Sequence, residues 1–504
     1  MAPLPRVRYI GAGALAHAFA ESSHDIIYKG NKTPGFGGKL REQMEEPLNK
    51  TVDELLKTAG YELDKVQADF ESLRKGIELF DRREIEALPH CADNNERYDR
   101  LTAIADHLLP LYDDVAAVIG EVHRALLTVA ADARKAEKRP RIIEGYELEG
   151  QDADDVMRVV LRILSGFRYV DVEATFQTLI THYRDEGDAE VRKQIVEIAE
   201  KLASYNLAVW RQVGPGVQLY LGDALAKLTD AKIDQIRPLA ITLWDGLLSS
   251  EIDGTSWSAD ADIGAVRALA IKGLTGLLDR SRSDEERRPV ISAFWEASQL
   301  PYQANHSNEL LATAIRDISA VADVLLPRLK AMGFDLWESI ESHLYREYKR
   351  FKHLAQSEKH DKGCKADAEK LVEAIKTIRD KMNSNLNYVR FKTLVGFEGV
   401  FSQQWNTEEI DYEKTEQFRK ARAARFVNQV NDGNADRWLS FIRMCAATKS
   451  NDMATFPIFA EFLGMIGEQK PALAIKAIET GDPDVLNFLP TVLAGLSKAS
   501  AAIQ

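Results

Sequence analysis

The chain has 504 residues, 45% of them apolar and 28% charged, with 30 glycines and 16 prolines in no period. These values exclude a wholly disordered, collagen-like or low-complexity chain, and the length suggests two to four domains. A net charge of −13 disfavours a general nucleic-acid coat or a polybasic membrane protein.

Residues 1–20 imitate a secretion leader. Arg6 and Arg8 precede a mild apolar run, and Ala-x-Ala triplets stand at Ala16–Ala18 and Ala18–Ala20. The run is rich in Gly and Ala, contains His17 and lacks the leucine density of a leader core, so secretion is not expected. No stretch approaches the roughly 20 apolar residues that span a bilayer, and no membrane partner is expected. Cys91, Cys364 and Cys445 lie far apart and are odd in number. That argues against a disulfide framework and for a reducing, cytoplasmic setting. Residues 1–50 read as an irregular N-terminal segment.

Residues 51–137 read as a helical hairpin. Leu63, Val66, Phe70, Leu73, Ile77 and Phe80 alternate spacings of three and four, an a/d seam through which two helices bury one stripe. A polar stretch at residues 88–95 breaks it. A second seam runs through Leu101, Ile104, Leu108, Leu111, Val115, Ile119, Val122, Leu126 and Val129, and Pro110 should kink or split it. An ordinary bundle face and a projecting coiled-coil stalk both fit. Residues 135–155 pass from basic to acidic and mark a boundary. Tyr169-Val-Asp-Val172 is too short to carry a sheet, so the fold is expected to be all-α.

From residue 153 to 330 four segments share a pattern. The segments open with Val191-Arg, Ile236-Arg, Val266-Arg and Ile315-Arg, a β-branched residue followed by arginine, and each places a small or apolar residue four positions on. Apolar residues then continue down the same face. The openings lie 45, 30 and 49 residues apart. A helix pair cannot bury its apolar face alone, so stacked neighbours must cover it. The pattern resembles the V-R-x-x-A helices of HEAT repeats, with Pro238 as a departure, and implies an α-solenoid. The polar stretch 249–264 interrupts the array and carries Trp257, either a contact residue for a partner or one packed back on its own scaffold.

Residues 331–504 read as a C-terminal helical domain. Helices are expected over residues 334–353, 365–381, 435–448, 453–467, 471–479 and 482–497. The first carries Tyr345, Tyr348, Lys349, Arg350 and Lys352, which interleave aromatic and basic groups. Bases stack on aromatics while cations hold phosphates, so this face is a candidate nucleic-acid or protein contact; the alternative is a partly buried amphipathic face. Residues 331–430 carry a net charge of about +2 by count.

Catalytic and cofactor signals are thin. Gly11-Ala-Gly13-Ala-Leu-Ala16 matches a dinucleotide fingerprint, but no acid stands about 20 residues on and no βαβ pattern follows. Gly35-Phe-Gly-Gly-Lys39 lacks the Walker A spacing. His353, His360 and Cys364 have no fourth metal ligand nearby. No cofactor, metal or catalytic residue is therefore expected. Together with Trp438, Asp452, Thr455-Phe-Pro457 and Phe462, the irregular Val-Arg helices resemble the α-solenoid sensor regions of bacterial STAND-type defence ATPases. That resemblance implies a detached recognition arm without its own ATP site. The expected function is a non-catalytic scaffold or sensor that binds a protein partner, with nucleic-acid binding as the alternative.

Overall fold

A computed structural model of the chain describes residues 80–105, 128–249, 261–299, 308–396 and 401–503, with short interruptions. Segment 1–50, nearly all of the first heptad seam, the middle of the second with Pro110, and Trp257 lie outside the described residues. Of the expected hairpin, the helix α1 (Asn94–Ala105) buries Leu101 and Ile104, and Val129 is buried as well.

The residues divide into two units, 1–277 with 299–306 and 278–298 with 307–504. The first unit holds a short hairpin, β1 (Arg141–Ile143) and β2 (Tyr146–Leu148), paired antiparallel with Arg141 opposite Leu148. It was not expected from the sequence. Arg141 anchors it through a two-pronged bond to Asp99, and Asn95 donates to the Arg139 carbonyl. Apart from this hairpin the described fold is all-α.

Helices follow as α2 (Ala153–Phe167), α3 (Val172–Asp185), α4 (Ala189–Ala203), α5 (Gly216–Ala226), α6 (Asp230–Gln235), α7 (Arg237–Leu248) and α8 (Ala261–Arg280). Side chains set several starts. The Asp152 carboxylate accepts from the Asp154 and Asp155 amides, and Asp188 does the same for Glu190 and Val191. Tyr169 makes no strand; its hydroxyl donates to the Lys201 carbonyl at 2.6 Å and ties the α2–α3 turn to α4.

The apolar stripes are covered in sequence order. α1 packs on α2, α2 on α4, and α4 on α7, while α3 and α5 lie against α4. This successive layering is the stacking that a HEAT-like array requires. The openings Val191, Ile236, Val266 and Ile315 are all buried. Two of the arginines that follow them have a defined task. Arg237 donates to the Leu277 carbonyl at 2.9 Å, and the fully buried Arg267 donates to the Leu248 carbonyl. Each satisfies a carbonyl in the last turn of a neighbouring helix, which has no partner within its own helix. Gly273 is required by close approach, because a Cβ there would meet the Trp244 ring at 2.3 Å.

In the second unit α9 (Asp284–Phe294), α10 (Asn308–Arg328), α11 (Phe334–Gln356), α12 (Lys362–Asn383) and α13 (Leu386–Leu394) precede α14 (Tyr412–Gln429) and α15 (Ala435–Ala446). Helices α16 (Pro457–Gln469), α17 (Pro471–Glu479), α18 (Pro483–Leu486) and α19 (Leu489–Ile503) close it. The boundary expected at 330 falls inside this unit. Arg328 holds Asp279 with two bonds of 2.6 and 2.8 Å, the Gly333 amide donates to Asp284, and Arg288 pairs with Asp335. The core runs from Phe391 through Trp438, Phe459 and Phe462 to Val492.

Val266 is fully buried, so Val266→Asp puts an unpaired carboxylate between layers. It should lower the unfolding free energy by about 3 kcal/mol or more. Gly273→Ala should lower it by about 1–3 kcal/mol through overpacking against Trp244. Urea unfolding measures both, and unchanged midpoints would contradict the packing described.

Candidate functional site

The aromatic–basic face of α11 turns its rings inward. Tyr345 and Tyr348 are buried against Trp405, with ring centroids 5.5 and 4.9 Å away. The ammonium groups of Lys349 and Lys352 sit over the Tyr345 and Tyr348 rings at 5.4 and 5.5 Å. Lys349 also donates to the Thr407 carbonyl, and Arg350 pairs with the buried Glu347 at 2.5 Å. Faces that would have stacked on bases are thus used inside the fold, as the amphipathic alternative required. The lysines serve as lids over the tyrosines.

A second cluster on α11 brings together Ser298, His343 and Glu347. The Ser298 hydroxyl lies 3.2 Å from His343 Nε2, and Trp295 stacks on the imidazole at 3.8 Å. A nucleophile–base–acid relay needs the acid on the ring nitrogen opposite the hydroxyl. Here Glu347 lies 3.6 Å from the same Nε2, and Arg346 stands 3.3 Å from Nδ1. Burial, then the charges of Arg346 and Arg350, push the His343 pKa down to about 3 and keep the ring neutral. The arrangement packs the helix and does not form a relay.

Deeper in the unit, Lys392 of α13 and Glu341 of α11 form an ion pair at 2.8 Å, both almost fully buried. The Tyr388 hydroxyl donates to Glu341 at 2.5 Å and Asn383 donates at 2.8 Å, so the carboxylate is well satisfied. Burial lowers the Lys392 pKa, and Glu341 works against that shift. Burial, then the Glu341 charge, holds the Tyr388 hydroxyl protonated. Nearby, burial and then Asp335 and Glu341 raise Glu338 to about 7, against the pull of Arg419 and Lys392.

The other face of α13 opens onto a cleft of about 270 Å³. Phe334, Trp438 and Phe441 give it aromatic walls, while Arg390 and Arg437 supply two cations. Arg390 lies over Trp438 at 5.0 Å and donates to the amide oxygens of Asn387 at 3.1 Å and Gln429 at 3.0 Å. No carboxylate, thiol or imidazole is among the described residues that line the cleft. Sequence reasoning missed it, because Arg390 and Arg437 are 47 positions apart and each looks like an ordinary surface cation.

The three residues considered as metal ligands are dispersed. His360 contacts Asn308 at 3.1 Å, Cys364 is buried and His353 is exposed. Among the described residues no group of three metal-ligating side chains gathers, and no helix is long and apolar enough to cross a membrane.

Two measurements follow from the buried charges. Lys392→Met strands Glu341 without its cation and should cost about 3–5 kcal/mol. Adding Glu341→Gln should recover much of that loss, because a neutral amide still accepts from Tyr388. Glu338 has a folded pKa above its unfolded value near 4.5. Its contribution is therefore fully present below pH 4.5 and lost as pH rises through 7. Glu338→Gln should match the wild type in urea at pH 4.5 and exceed it at pH 8. Parallel pH profiles would contradict the burial of this carboxyl.

No family model matches the chain, and no curated protein does. Among solved structures the chain is similar to one described as the structure of the TSC2 N-terminus, at 14% identity, covering 83% of this chain and 93% of that one, with a TM-score of 0.23. Nothing is transferred from a likeness of that degree. The resemblance to STAND sensor regions rests on the sequence pattern alone.

Proposed function

We propose that the protein is a non-catalytic helical scaffold that binds a protein partner. The observation that carries this reading is the lining of the open cleft on α13 and α15. Guanidinium, amide and aromatic groups hold a partner and have no ordinary means of moving a proton or attacking a bond. Among the described residues, His343 and Glu347, and Glu341 and Lys392, pair with one another in the interior. Arginine and aromatic side chains are also enriched where protein interfaces concentrate their energy.

Nucleic-acid binding is the weaker reading, because Tyr345 and Tyr348 have no free ring face and the whole chain carries −13. The test is reconstitution. The intact chain, tagged and recovered from its native host, should retain one protein at defined stoichiometry. The two purified components should then re-form a complex of the summed mass in sedimentation. Failure of every retained protein to re-form a complex, or turnover of a small molecule by the purified chain, would overturn the scaffold reading.

A further inference from the structure

We infer that the cleft between α13 and the start of α15 is an oxyanion site, built to take a carboxylate or phosphate group displayed on a protein partner. The partner rests on the scaffold reading; the anion rests on the cleft's own chemistry.

Two guanidinium groups line one cleft, and no carboxylate is among the described residues that line it. Arg390 is oriented without being neutralised. Its two bonds go to uncharged amide oxygens and its central carbon lies over the Trp438 ring. A guanidinium has five N–H donors, so several are left for a ligand. Arg437 stands in the first turn of α15, where the helix dipole disfavours a cation and favours an anion. No side chain caps that helix end. The neighbouring Asp436 is exposed, accepts from Lys476 at 2.5 Å and is not among the residues that line the cleft. Burial, then the field of Arg437, lowers the Arg390 pKa. That repulsion is what a bound anion would relieve.

The size and walls decide what carries the anion. A space of about 270 Å³ suits a single acidic or phosphorylated side chain with part of its neighbour. A nucleic-acid strand would need open ring faces, and Arg390 already covers Trp438. Paired arginines match either oxyanion with two parallel bonds, while the aromatic walls suit the apolar stem of the same side chain.

The test uses the full chain and fluorescein-labelled octapeptides read by anisotropy. One set is rich in Asp and Glu, one carries phosphoserine, and one replaces every acid by its amide. Inorganic phosphate is the free-anion competitor. Acidic or phosphorylated peptides should bind and the amide set should not. Arg390→Gln and Arg437→Gln should each weaken binding about tenfold. Arg425→Gln, an exposed change on α14 outside the cleft, should leave it unchanged. The melting temperature of Arg437→Gln should stay at the wild-type value, which separates lost contact from lost fold. Equal binding of acidic and amide peptides, or binding indifferent to both arginines, overturns the site. Phosphate binding without any peptide binding overturns the displayed-anion assignment. If a reconstituted partner binds the doubly substituted chain at full affinity, the anion site falls and the scaffold reading stands. If the peptides bind through the arginines and no partner re-forms a complex, the site stands and the scaffold reading falls.

Discussion

The ion pair between Lys392 and Glu341 sets the rotation of α13, and the geometry of the cleft follows from it. A helix of nine residues has little stability alone and takes its orientation from what it packs on. Tyr388 and Lys392 are four residues apart, so they share one face, and both engage Glu341. Arg419 adds a third hold by donating to the Thr393 carbonyl at 2.8 Å. With that face fixed inward, Arg390 must emerge on the opposite side, over Trp438. A buried pair of this kind adds little net stability over an apolar replacement. Its use here is register: a rotated α13 would strand both charges.

The first unit is governed by a different constraint. Its helices cannot cover their own apolar stripes, so each borrows the next. That part was legible in the Val-Arg pattern, because burial of an apolar residue every three or four positions is what the pattern encodes. The arginines carried a second message that spacing alone does not reveal. Arg267 is buried because it reaches the end of a preceding helix, and the half-buried Arg237 reaches the end of a following one. The hairpin at residues 141–148 was not legible. Three residues per strand give too few alternations to register, and its Ile142, Tyr146 and Leu148 are exposed rather than buried.

In the second unit the helix positions were readable, since Pro and Gly punctuate them and long amphipathic runs fill α11 and α12. The use of their polar residues was not. Alternating aromatic and basic residues on α11 suit a stacking surface and a core face with lysine lids equally well. Trp405, 57 positions beyond Tyr348, decides between them by filling the space beneath the rings. Lys392 gave a faint signal, as a lysine within the largely apolar run 388–395, but its partner Glu341 is 51 positions earlier. The cleft needed the same long-range closure, which only the packed fold supplies.

The charge of the whole molecule and the charge of the cleft have opposite signs, and distance determines which one a ligand feels. At physiological salt the field of exposed charges fades over roughly 8 Å. An acidic segment approaching a chain of net −13 therefore gains no long-range attraction and meets two cations only on arrival. Such a site discriminates through contact geometry and dissociation rate, since fast electrostatic steering needs a field that extends beyond the interface. The aromatic walls then matter as much as the arginines. By keeping water from one side of Arg390 they strengthen each bond it makes, and they exclude anions too large or too hydrated to enter. In the proposed site, selectivity for an oxyanion on a partner over free ions in solution would come from this pairing of a local charge with a shaped apolar wall.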